Sequence, residues 1–138
     1  MVIIETVGTY RDYRYIVTFN TDMGHRCGYV GIPEGDELYK VEWLDNIINC
    51  HGDITFSDFS IILPDDYWYI GFDCCHLCDG IDLDAIEKYT GKNPLDDDNE
   101  RFKILYTTRK DCYIMTMEDC IEECKGIIDQ VIKYNERG

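Results

Sequence analysis

The sequence predicts an α+β fold: an antiparallel or mixed sheet with a long C-terminal helix packed on one face and one short helix besides. Three observations predict it. Residues 12–20, DYRYIVTFN, set Tyr13, Tyr15, Val17 and Phe19 against Arg14, Ile16 and Thr18, the period-two pattern of a strand with one apolar face. Residues 67–72, YWYIGF, are apolar on both sides, as a covered central strand is. Near the C-terminus Cys120, Ile121, Cys124, Ile127, Ile128, Val131 and Ile132 recur at helical spacing, with Glu122, Glu123, Asp129 and Gln130 off that stripe. The 138 residues make one domain, 1–138, long enough to bury a core.

Residues 2–9, VIIETVGT, are a second β-rich run, and the intervening Tyr10-Arg11 can turn, so an antiparallel hairpin is expected at the start. A polar turn, Asn20 to Gly24, leads into HRCGYVGIP, a short strand whose Gly28 and Gly31 mark a bulge or a close approach. Pro33 to Lys40 is a loop. Val41 to Ile48 is a short helix or irregular, with Trp43, Leu44, Ile47 and Ile48 on one helical face. His51-Gly52-Asp53 is a turn, Ile54 to Phe59 a strand, and residues 61–66 an apolar anchor followed by a turn. Asp82 caps a short helix that Gly91 stops. Residues 91–100, GKNPLDDDNE, read as a solvated acidic loop. Thr116 and Asp119 form a capping pair at the start of the last helix.

Charge narrows the partners. With 28 acidic and 13 basic residues the chain carries −15, a field that repels a phosphate polymer and makes nucleic acid a poor partner, so no nucleic-acid partner is expected. What is left is solubility, or an acidic surface that docks on a basic protein. No run approaches the ~20 apolar residues of a membrane span, which excludes a membrane partner. The N-terminal apolar patch has no basic flank and ends at Glu5, unlike a signal peptide. The expected compartment is therefore the cytoplasm, with the eight cysteines as thiols or metal ligands. Self-association into a homo-oligomer is compatible with all of this.

The stretch YWYIGFDCCHLCDGID (67–82) concentrates chemically able side chains, and all three histidines lie within two residues of a cysteine: His25 by Cys27, His51 by Cys50, His76 by Cys74, Cys75 and Cys78. Three chemistries use these residues. In the first, zinc takes His and Cys ligands. Cys75-x-x-Cys78 is one half of a knuckle with no second half, and Cys120 and Cys124 belong to the helix stripe as small core hydrophobes. An open zinc site would instead use His25, His51, Asp73 and His76. In the second, Cys27 or Cys74 is a nucleophile with a histidine as base and Asp73 as orienter. In the third, a pocket binds a small nucleotide-like ligand. Trp68, Tyr69, Phe72, Tyr29 or Phe56 stacks on or walls it. His25 and Arg26 contact phosphate. Asp73 or Asp79 accepts ribose hydroxyls. His51 and His76 complete the polar rim, and Cys27 is a further ligand-binding residue. The alternative for the aromatic strand is plain core.

Three blocks, GHRCGYVGIPEG (24–35), HGDITFS (51–57) and YWYIGFDCCHLCD (67–79), resemble in kind and order the GHRCGYV, HGGLTFS and GFDCAH..D segments of a family of small phage and bacterial proteins. His25, Arg26, Cys27, Gly28, His51, Gly52, Gly71, Phe72, Asp73, Cys74, His76 and Asp79 match; Cys75 and Cys78 stand where small residues are expected, against a CxxC zinc site. The resemblance implies a phage counter-defence protein, acting in the host cytoplasm, that sequesters a cyclic nucleotide or cyclic ADP-ribose type of immune signal as a sponge. Sequestration needs no turnover and no cofactor. The alternatives are a zinc- or histidine-dependent phosphodiesterase or other hydrolase built from the same cluster, and an acidic inhibitor acting through charges such as Asp96, Asp97 and Asp98.

Overall fold

The structure, a computed structural model, describes residues 1–59, 63–76 and 78–137. Among them, five strands form one sheet: β1 (Val2–Tyr10), β2 (Tyr13–Asn20), β3 (His25–Ile32), β4 (Phe56–Phe59) and β5 (Trp68–Asp73). The order is β1-β2-β3-β5-β4 and every pair is antiparallel. Three α-helices accompany it, α1 (Leu83–Thr90), α2 (Glu100–Arg109) and α3 (Met117–Glu136). The α+β expectation holds, including the long C-terminal helix across the sheet. None of the described helices is long and apolar enough to cross a membrane.

Local chemistry sets the boundaries. The first hairpin closes through Arg11 and Asp12, both at positive φ (51° and 71°), the geometry that matches the twist of paired strands. Asp82 accepts from the Ala85 amide at the start of α1, and Gly91 at φ 74° ends it by donating to the Glu87 carbonyl. The capping pair of α3 is reciprocal: the Thr116 hydroxyl accepts from the Asp119 amide, and the Asp119 carboxylate from the Thr116 amide.

Three expectations need revision or refinement. Val41 to Ile48 takes the irregular alternative, and its apolar residues divide: Leu44 and Ile48 are buried while Trp43 is 78% exposed. The acidic loop 91–100 contains a 3-10 turn, Pro94–Asp96, and ends in Asn99, which caps α2, a helix the pattern does not announce. Its single buried residue, Phe102, makes no repeating stripe. Ile61 and Ile62 of the expected anchor lie outside the described residues; the turn after them is present, with the Asp65 amide on the Leu63 carbonyl.

The core lies between the sheet and α3. Val17, Val30, Trp68, Ile70 and Phe72 meet Cys120, Cys124, Ile127, Ile128 and Val131, with Leu38, Leu44 and Ile48 closing one side. Each large apolar side chain buried there contributes about 1.5–3 kcal/mol. Gly28 is a close approach and not a bulge: a Cβ there would overlap the Phe72 ring and touch Cys124 Sγ. A smaller core joins Phe19 of β2 to Ile81, Ala85, Ile86 and Phe102, seating α1 and α2.

Candidate functional site

Along β3, alternation sends His25, Cys27 and Tyr29 to one face and Arg26, Gly28 and Val30 to the α3 face. Cys27 lies opposite Asp73, the last residue of β5. The ladder continues one step, with the Cys74 amide on the Arg26 carbonyl, and the chain then turns on side-chain bonds. Asp73 Oδ1 accepts from the Cys75 amide at 3.1 Å and Asp79 Oδ2 from the His76 amide at 3.0 Å.

Asp79 is 3% exposed. Its Oδ1 lies 2.7 Å from His51 Nε2, so one buried carboxylate ties the 51–53 turn to the 73–79 loop. The His51 amide donates to Glu123 of α3 at 2.6 Å, which fixes the same turn from the other side. Gly52, at φ 65°, packs against His76, whose ring fills the space a side chain would take. The His51 and His76 rings are 6.2 Å apart, and His76 Nε2 is 3.4 Å from Asp73 Oδ1. His25 belongs to the same cluster: burial lowers its pKa, and the charges of Asp73, Arg109 and Asp79 all act on it. His25 Nδ1 and His76 Nε2 are shut from solvent with no hydrogen bond among the described residues. An unmade bond of this kind costs about 1–3 kcal/mol.

Three histidines from distant segments, with Cys27, Asp73 and Asp79, therefore come together at the end of β3 and β5. The other expected ligand-binding residues do not join them. Trp68, Tyr69 and Phe72 are 5%, 1% and 1% exposed. Trp68 donates to the Val41 carbonyl, Tyr69 to Asp65, and Phe72 packs over Gly28, so a base could stack on none of them without opening the interior. They are core, the alternative raised for this strand. Tyr29 and Phe56 are the half-buried aromatics on the cluster's own face, in edge contact at 5.3 Å.

Arg26 is also placed elsewhere. Its guanidinium holds Glu5 through Nε (2.6 Å) and Nη2 (3.2 Å), Asp82 (2.7 Å) and the Met115 carbonyl (3.0 Å) through Nη1, and lies 4.9 Å over Phe19. It lines a cleft of about 340 Å³, but a phosphate entering there would meet Glu5, Asp82, Asp84 and Glu118. Asp79 has both oxygens engaged, whereas among the described residues only Oδ1 of Asp73 is.

The environments of Cys27, Cys50 and Cys74 disfavour the thiolate. Burial pushes Cys27 up to about 11 and Cys50 up to about 12; Cys74, 3.7 Å from Cys120, is raised chiefly by that contact. A thiol held in its neutral form argues against attack by Cys27 or Cys74. Nor does the zinc set of His25, His51, Asp73 and His76 form one shell: among the described residues no group of three or more His, Cys, Asp or Glu is placed to hold a metal ion. Sequence reasoning missed Arg109, the last residue of α2, whose Nη1 is 3.5 Å from the Cys75 carbonyl. No local motif surrounds it, and only the fold carries it to the cluster.

A scan against protein-family models and searches of curated proteins and solved structures find no match for this chain.

Proposed function

We propose that this cluster binds a small nucleotide-derived immune signal, of the cyclic nucleotide or cyclic ADP-ribose type, and that the protein sequesters it in a host cytoplasm as a phage counter-defence factor. The observation that carries this reading is the meeting of His25, His51 and His76 around Asp73 and Asp79, with His25 Nδ1 and His76 Nε2 lacking a hydrogen bond among the described residues. A cluster built only for stability would close its hydrogen bonds. The half-buried pair Tyr29 and Phe56 supplies aromatic surface two residues along the strands from Cys27 and Asp73. Asp73, with its side chain 30% exposed, takes a ribose hydroxyl, and His51 and His76 form the rim. The resemblance of the three sequence blocks to phage proteins supports the counter-defence setting.

The His51–Asp79 contact favours a second reading, a histidine-dependent phosphodiesterase. A buried carboxylate that orients an imidazole at 2.7 Å is the arrangement of a general base. One experiment separates the two. The protein is incubated with a panel of cyclic nucleotide and cyclic ADP-ribose signals and then heated to release what it holds. Intact signal at stoichiometric yield, lost in His51→Ala, is the expected result. Cleaved product, lost in the same variant, would establish the hydrolase, and no retention of any signal would end the sequestration reading.

A further inference from the structure

Arg11, Arg14, Arg26 and Arg137 each lie within 4.0 Å of a carboxylate. Arg109 is half-buried and has no carboxylate partner among the described residues, although the chain has 28 acidic residues to offer. Among the described residues its side chain has one hydrogen bond, long at 3.5 Å, to the Cys75 carbonyl. A partly buried arginine normally finds an anion or several acceptors. The fold holds this one in place. The chain leaving α2 turns back with the Cys112 amide on the Arg109 carbonyl. Tyr113 then pairs with Asp79, and the Gly80 amide donates to the Tyr113 carbonyl. The segment that carries Arg109 is thus stitched to the loop that carries Asp73, His76 and Asp79.

We infer that Arg109 is the residue that reads charge at this site, its planar fork taking a phosphate group of the ligand beside the rim imidazoles of His51 and His76. The inference rests on the proposed binding function and fixes its ligand class: a phosphoester and not a neutral nucleoside. The fork matches two phosphate oxygens at once, and both rim histidines are partly open, with side chains 29% and 41% exposed. Arg109 so takes the part expected of Arg26.

Inorganic phosphate is the probe, titrated into the full chain with the histidine ring resonances observed by NMR. Saturable shifts at His51 and His76 are expected in the wild type. Arg109→Gln should weaken them about tenfold, as for loss of one charge-assisted hydrogen bond. Arg109→Lys, which keeps the charge without the fork, should fall in between. Arg101→Gln removes an exposed arginine from the same helix and should change affinity less than about twofold, the size of a screened surface effect. Equal phosphate affinity in wild type and Arg109→Gln would overturn the inference. So would nucleotide retention that Arg109→Gln leaves unchanged, and in that case the binding function stands. Wild-type protein that retains neither phosphate nor any signal removes both.

Discussion

His25 and Arg26 are adjacent on β3, and strand alternation sends them to opposite faces and into polar networks of opposite kind. Around Arg26 nearly everything is matched: Glu5 takes two of its donors, Asp82 and the Met115 carbonyl share a third, and the remaining oxygen capacity of Glu5 accepts from the Tyr89 hydroxyl at 2.6 Å. Around His25 the matching stops short, with its Nδ1 buried and without a hydrogen bond among the described residues. The first network ties β1, β3, α1 and the entry to α3 together. The second joins two loops and the end of α2 and leaves groups in hand. Burial and charge alone do not mark a site; the difference lies in whether the hydrogen bonds close.

Breaking the closed network should have the largest effect. Arg26→Gln leaves the Glu5 carboxylate, with its side chain only 2% exposed, without its cation. Removing one partner of such a pair costs about 3–5 kcal/mol. The expected outcome is a marked fall in the urea midpoint of unfolding, with signal retention per folded molecule unchanged. Loss of retention in protein that is still folded would instead place Arg26 in the binding site.

An intermediate effect is expected at the hinge of the open network. Gly52→Ala puts a methyl group where the His76 ring sits and forces an L side chain onto φ 65°. The backbone strain costs of order 1 kcal/mol. The larger consequence is local, because His76 must move. Signal retention should fall sharply while the urea midpoint changes modestly, and the His76 ring resonance should shift more than that of His25. A variant that binds as well as the wild type would detach His76 from the site.

These two positions also show what was legible beforehand. The hairpin, the covered strand and the C-terminal helix were readable because their periodicity is written into neighbouring residues, and the caps at Asp82, Gly91 and Thr116 lie where their side-chain chemistry places them. Helix α2 was not readable: Asn99 is hidden at the end of an acidic run, and Phe102 is its only buried residue. Proximity in sequence found the histidines, since each lies beside cysteine and the fold gathers all three. The same proximity misassigned Arg26, whose true partners are 21 and 56 positions away. Trp68 and Phe72 looked like a ligand wall because nothing local says which side of a strand α3 will cover. Arg109 carries no signal at all until α2 has been placed.

The smallest expected effect concerns acid. Burial lowers the pKa of His25 below its ordinary 6.5, Arg109 lowers it further, and the pull of Asp73 and Asp79 in the other direction does not offset them. In the unfolded chain His25 takes up a proton near its ordinary value; in the fold it takes one only at lower pH. Between those two points the unfolded state binds more protons, so stability falls as pH drops through 6.5 and stops falling, on this account, below the folded value. The slope from one such group cannot exceed about 1.4 kcal/mol per pH unit. Urea unfolding between pH 7 and about 5.5 lies above the ordinary carboxylate range, and the difference there between wild type and His25→Gln separates this contribution from those of His51 and His76. His25→Gln should flatten the profile there. The His25 ring should titrate below the ordinary histidine value by NMR, and Arg109→Gln should raise it. A His25 that titrates at or above 6.5 in the folded protein would show that Asp73 and Asp79 outweigh its burial, and the contrast with Arg26 would then not be one of unmade bonds.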